Sequence, residues 1–195
     1  MMNPAEFENI ARVEDSYWWF DGMNGSMLRV LRDVLGGKKP TRILEAGCGT
    51  GAFAATLARE FPCPVDAMDL AAEGLHYGRK RNLKGLVQAD IRALPFASNA
   101  YDLLVSLDVI VHFPRGGEAP ALAEMARVLK PGGLLAIRVS ALDILRSRHS
   151  EFTMERQRFT RGRLAEGMHQ TGLTPVKSTY ANSLRQRTCQ LIARS

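Results

Sequence analysis

Hydrophobic and polar positions along the chain fall into two alternating rhythms. Asn3–Val13 and Asn24–Leu35 space their apolar residues as one helix face does, and Gly36-Gly37 ends the second run. Thr41–Ala46 is a short apolar run that enters glycines directly, which predicts a strand. Gly51–Phe61 predicts an Ala-rich helix stopped before Pro62. The alternation then repeats: strand-like Val65–Met68 closing on Asp69, helical Ala71–Arg81, strand-like Gly85–Ala89 closing on Asp90, and Asp102–Leu107 closing on Asp108. Ala119–Leu129 predicts an amphipathic helix stopped by Lys-Pro-Gly-Gly, Leu134–Val139 a strand, and Phe159–Gln170 a helix with Gly172 beyond it. Thr174–Tyr180 and Thr188–Ala193 read as two last strands.

Strands separated by helices of this length imply crossover connections and a mainly parallel sheet. The runs RILEAG, LLVSL and LLAIRV lack in–out alternation, as strands buried on both faces do. The last two strands are joined by a short link, which implies a hairpin and hence one antiparallel strand. The expected class is α/β: about seven strands, mostly parallel, with an antiparallel last strand and helices on both faces.

The chain has 195 residues, which favours one domain, 1–195. Apolar residues are 46% and charged residues 24%, the balance of a globular protein rather than a disordered, fibrous or disulfide-built one. Lys and Arg number 26 against 20 Asp and Glu, a net +6 that permits an acidic ligand or nucleic acid without requiring either. Cys48, Cys63 and Cys189 show no metal-type spacing and fit free thiols in a cytoplasmic setting. The first residues lack a basic stretch followed by an apolar core, and no apolar run is long enough to span a bilayer, so neither a leader nor a membrane partner is expected.

The sharpest local feature is Glu45-Ala46-Gly47-Cys48-Gly49-Thr50-Gly51, between the first strand and its helix. Glycines there allow a tight turn and close approach of backbone to a ligand, and the helix start suits an anionic group. Gly47, Gly49 and Ala52 also satisfy G-x-G-x-x-A, so this loop alone leaves a nicotinamide dinucleotide open. Glu45, Asp69, Asp90 and Asp108 close four consecutive strands, where open parallel sheets bind ligands. A carboxylate at Asp69 suits a ribose diol, and one at Asp90 suits an adenine amino group.

These residues, taken in order, resemble the class I S-adenosylmethionine-dependent methyltransferases. ILEAGCGTG, Asp69, QADIRALPF, YDLLVSLDVIVHF and LKPGGLLAIRV follow the family's motif order over residues 41–139. Tyr17-Trp18-Trp19-Phe20 before the first strand, and Ser147-Arg148-His149 with Arg158-Phe159-Thr160 after the fifth, resemble a small-molecule branch. The resemblance implies a Rossmann-like sheet and S-adenosylmethionine as cofactor, with S-adenosylhomocysteine as product and no metal. It places Glu45, Ala46, Gly47, Gly49 and Gly51 beneath the methionine part and Asp69 on the ribose. Leu70 lies against adenine, with Asp90 and Ile91 across from it, and Leu107 and His112 line the site. The branch usually has arginines after its aromatic segment; Asp21, Met23 and Asn24 stand here, which leaves the methionine carboxylate without an assigned cation. Glu155 stands where the branch commonly has histidine.

Methyl transfer asks the protein mainly for alignment and exclusion of water, with a general base for neutral acceptors. His112 and His149 are the candidate bases. Tyr17 and Trp19 belong to an expected N-terminal helical lid, 1–37. Segment 141–163 is an expected cap over the mouth, carrying six arginines against three acids. Within it, Arg146 and Arg148 are candidates for binding an acidic group on a small-molecule acceptor. A nucleic-acid methyltransferase is the weaker alternative: the length leaves no added module, and the [DN]-P-P-[FY] motif of base-amino enzymes is absent after the fourth strand. A cofactor-binding protein with lost or non-methyl chemistry stays open.

Overall fold

A computed structural model describes residues 4–142, 154–181 and 188–195. Two helices, α1 (Pro4–Val13) and α2 (Trp18–Leu35), precede the sheet. The alternating part runs β1 (Ile43–Ala46), α3 (Ala52–Glu60), β2 (Val65–Asp69), α4 (Ala72–Lys80), β3 (Gly85–Gln88), β4 (Tyr101–Leu107), α5 (Ala119–Val128) and β5 (Leu129–Ser140). Then come α6 (Arg161–His169), β6 (Thr174–Ala181) and β7 (Thr188–Arg194).

The seven strands form one sheet in the order β3-β2-β1-β4-β5-β7-β6. Pairings from β3 to β5 are parallel, and β7 runs antiparallel to both β5 and β6. The order reverses direction between β1 and β4, where a doubly wound sheet opens a crevice at its carboxyl ends.

Strand side chains alternate between two cores. Ile43, Leu103, Val105, Leu134 and Ala136 face α2 and α3 through Met27, Leu31, Phe53 and Leu57. Leu44, Leu104, Leu135 and Ile137 face α5 and α6 through Leu122, Met125, Leu164 and Met168. Full burial on both faces explains why the central strands carry unbroken apolar runs.

Two boundaries differ from the sequence pattern. α2 starts at Trp18 rather than near Asn24, so the aromatic segment is its first turn. Asp21, Gly22, Asn24 and Gly25 are poor helix formers that hide this turn, but buried Met23, Met27 and Leu31 continue one apolar face through it. β5 begins at Leu129, upstream of Pro131, because Leu129 pairs with Tyr101 of β4 across a register shift; further on, Ser195 N–H donates to the Gly133 carbonyl at 2.9 Å, and Gly132 N–H to the Ser195 carbonyl at 2.9 Å.

At the amino ends of the strands, Asp102 ties three of them together. Its Oδ2 accepts from the Thr41 and Arg42 backbone N–H groups at 2.9 and 3.0 Å, from Thr41 Oγ1 at 2.6 Å and from Lys130 Nζ at 3.0 Å. Burial opposes ionisation of Asp102, but hydrogen bonds from Thr41 and Lys130 outweigh it and bring the carboxyl down to about 2. A lowered folded-state value gives stability that is present above the unfolded value, about 3.9, and lost as pH falls towards about 2. Asp102→Asn should therefore lower the urea midpoint at pH 7, and the gap from the parent protein should narrow at pH 3. An equal gap at both pH values would contradict this assignment.

Candidate functional site

A cavity of about 410 Å³ opens at the carboxyl ends of β1, β2, β3 and β4. Its floor is the loop after β1. Gly47, Gly49 and Gly51 all have positive φ (84°, 53° and 77°), a region open to glycine and costly for most other residues. A Cβ on Gly47 would lie 2.1 Å from Val109 Cγ2, so the loop and the chain after β4 meet at a spacing that glycine alone permits. Asp108, just before Val109, takes a positive φ of 58° at the end of β4.

Asp69 fastens the floor to β2. Its Oδ2 accepts from Gly49 N–H at 2.7 Å and its Oδ1 from Ala71 N–H at 2.9 Å. Burial pushes the carboxyl up from its ordinary value, and the N–H groups of Ala71 and Gly49 pull against that. Asp90 lies at the rim and is held by Arg92, whose Nη2 is 2.6 Å from its Oδ2 and whose backbone N–H donates to its Oδ1. That pairing lowers the Asp90 carboxyl below its usual range.

Glu45 is buried at 2% exposure at the end of β1, and its Oε2 has no hydrogen-bond partner. Burial pushes it well above the ordinary carboxylate range, against a backbone N–H of Ala54 and the charge of Arg138. Arg138 of β5 reaches the same cavity, with Nε 2.7 Å from Asp108 Oδ2. Deeper towards β7, Glu155 accepts from Ser140 Oγ at 2.5 Å and lies 3.3 Å from Arg158 Nη2.

α1 covers the cavity. Phe7 packs against the glycine loop and α4: its ring stands 3.9 Å from where a Cβ on Gly49 would be and 2.9 Å from one on Gly74. Glu14, itself buried, accepts from Thr50 Oγ1 at 2.6 Å and from Arg81 Nη2 at 2.8 Å. Arg81 also bonds Asp15. One carboxylate thus joins α1 to both the glycine loop and the end of α4.

Of the positions expected from sequence, Glu45, Gly47, Gly49, Asp69, Leu70, Asp90, Ile91, Leu107, His112 and Trp19 line this cavity. Ala46 and Gly51 shape the loop from behind and are not among its lining residues. His112 ends a short 3-10 turn, Ile110–His112, with Nδ1 3.3 Å from the Met154 carbonyl. Tyr17 does not line the cavity: it is half exposed and borders an outer groove with Val13 and Phe20. The covering role falls to α1 and Trp19 instead. His149, Arg146 and Arg148 lie outside the described residues. Within the Arg-rich segment, Arg161 stacks on Tyr180 and Arg163 on Phe159, and Arg158 is buried at the cavity wall.

Glu14, Arg138 and Glu155 were not singled out as site residues from sequence. Two had a signal. Glu14 and Asp15 follow a helix end, where the dipole disfavours acids. Arg138 is a lone charge inside the apolar run LLAIRV. Among the described residues, no group of three or more His, Cys, Asp or Glu side chains is placed to hold a metal ion, and no helix is long and apolar enough to cross a membrane.

Residues 43–133 match a family model described as a methyltransferase domain. The chain is 41% identical over 96 residues to a fatty-acid O-methyltransferase of Mycolicibacterium smegmatis, covering 47% of this chain and 34% of that protein. It is 39% identical over 105 residues to a malonyl-[acyl-carrier protein] O-methyltransferase of Enterobacter lignolyticus, covering 53% and 41%. The chain thus spans about a third to two fifths of the length of these relatives. The N-methyltransferase NodS of Bradyrhizobium japonicum, solved with S-adenosylhomocysteine, shares the fold: TM-score 0.73, 21% identity, covering 98% of this chain and 97% of that one. Residues 43–133 thus match a methyltransferase domain, and the sheet order, the glycine loop and the acids at the strand ends accord with that match.

The close approach at Gly47 has a measurable consequence. Gly47→Ala combines a 2.1 Å clash with an unfavourable φ and should destabilise by about 1–3 kcal/mol or more. Gly22→Ala, in helix α2 with open space at its Cβ, should be neutral or stabilising by up to about 1 kcal/mol. Urea denaturation of both variants checks the contrast; equal effects would contradict the geometry.

Proposed function

We propose that the cavity binds S-adenosylmethionine and that the protein transfers its methyl group to a small-molecule acceptor at oxygen or nitrogen. The observation that carries this reading is the pair of acids at the ends of β1 and β2, Glu45 buried and Asp69 half-buried. The unpartnered Glu45 Oε2 suits an ammonium group, and each Asp69 oxygen accepts one backbone N–H and keeps a lone pair for a ribose hydroxyl. Gly47 and Gly49 let the loop backbone lie against the methionine part. Leu70 and Ile91 offer apolar surface for adenine, with Asp90 at its amino edge.

When bound, the cofactor supplies a methyl group already activated on a sulfonium. The protein's task is then alignment and exclusion of water. Phe7, Ile10 and Trp19 supply apolar cover at the mouth. His112, which lines the cavity, is the base that would take a proton from a hydroxyl or ammonium acceptor in this reading. The names of the two curated relatives favour O-methylation of an acyl compound. Arg146 and Arg148 remain the candidates for binding an acidic group on the acceptor, and His149 a second candidate base.

Isothermal titration should show binding of S-adenosylmethionine and S-adenosylhomocysteine and none of NADH. Asp69→Ala should weaken S-adenosylhomocysteine by roughly 1–3 kcal/mol, the cost of one or two hydrogen bonds. Binding of NADH alone would overturn the cofactor reading, and unchanged affinity in the variant would overturn the role of Asp69.

A further inference from the structure

We infer that Arg138 is the cation that recognises the carboxylate of the cofactor's amino-acid end, a role that the aromatic segment of this chain leaves open. The inference rests on the cofactor reading above. Three observations support it.

The first is an unmet hydrogen bond. Arg138 is 6% exposed and lines the cavity; its Nε is taken by Asp108, while its Nη1 is buried and has no hydrogen-bond partner. A guanidinium presents a fixed fork of donors suited to a carboxylate, and a buried donor left unpaired carries a full desolvation cost.

The second is position. Glu45 pairs with Val105, and Val105 with Ala136, so Arg138 is one pleat beyond Ala136 on the sheet face that Glu45 shares. The unpartnered oxygen of Glu45 and the unpartnered nitrogen of Arg138 therefore lie on one face of one cavity. Asp108 adds a second unpartnered oxygen, Oδ1. An α-amino acid carries both complements, an ammonium and a carboxylate.

The third is the disposition of the other cations that line the cavity among the described residues. Arg92 is committed to Asp90 at the rim and stacks on Phe113. Arg158 binds the Ala141 carbonyl and pairs with Glu155. Position 24, within the stretch where the resembled branch carries arginines, holds Asn24, which lines the cavity without a charge.

The test compares two ligands that differ in the amino-acid end. S-adenosylhomocysteine has it; 5′-methylthioadenosine keeps the adenine, ribose and sulfur and lacks it. The parent protein should bind both, S-adenosylhomocysteine more tightly. Arg138→Gln should lose roughly tenfold or more in affinity for S-adenosylhomocysteine, as expected for a charged hydrogen bond, and bind 5′-methylthioadenosine within about twofold of the parent. Arg138→Met combined with Asp108→Asn removes both halves of the ion pair, so Asp108 is not left as an uncompensated charge, and should show the same selective loss. Unchanged S-adenosylhomocysteine affinity, or equal loss of both ligands from the double variant, overturns the role of Arg138. Failure of the parent protein to bind either ligand overturns the cofactor reading instead.

Discussion

A single carboxylate sets the geometry on which the cavity depends. Asp69 accepts one backbone N–H from the glycine loop and one from the turn into α4, so two loops from neighbouring strands are fixed to the same side chain. The Gly47 and Cys48 N–H groups both donate to the Met68 carbonyl at 2.8 Å, which strengthens the same junction. With the loop held there, Gly47 meets Val109 and Gly49 lies under Phe7, so the β4 end and α1 are positioned by contact with it. The carboxylate is half-buried, and the two N–H groups offset part of the cost of its ionisation.

Charges cluster where the apolar sheet reaches this cavity. Arg138 with Asp108, and Arg158 with Glu155, are ion pairs with at least one partner well buried. For stability alone, packed apolar residues of similar volume would serve as well or better, because desolvation offsets much of the Coulombic gain. Both pairs nevertheless line the cavity wall, and both leave a carboxylate oxygen without a hydrogen bond. The sheet is apolar where it supports the fold and polar where it faces the cavity.

Much of the architecture was legible in the residues. Apolar strands ending in Asp69, Asp90 and Asp108, with helices after the first and the last of the three, dictate a parallel sheet and place acids along one edge. Most of the expected cofactor residues line one cavity for that reason. What stayed hidden depends on long-range pairing. Glu14 reads as a surface acid until α1 folds back onto Thr50 and Arg81, and nothing local to Glu14 encodes that approach. Trp18, Trp19 and Tyr17 look alike in sequence, yet the turn of α2 sends Trp19 to the cavity and leaves Trp18 and Tyr17 outside. A pattern of residue types reports which side chains have chemistry to offer; the helix phase decides which of them face inward.

The antiparallel placement of β7 has a practical consequence. It brings Ser195 back to Gly132 and Gly133, at the amino end of β5, while the cavity opens at the carboxyl ends of the parallel strands. Polypeptide joined after Ser195 would leave from the end of the sheet remote from the mouth. Glu6 and Phe7, by contrast, stand at that mouth. An affinity tag or fused partner at the carboxyl end leaves the opening clear, and one at the amino end crowds it.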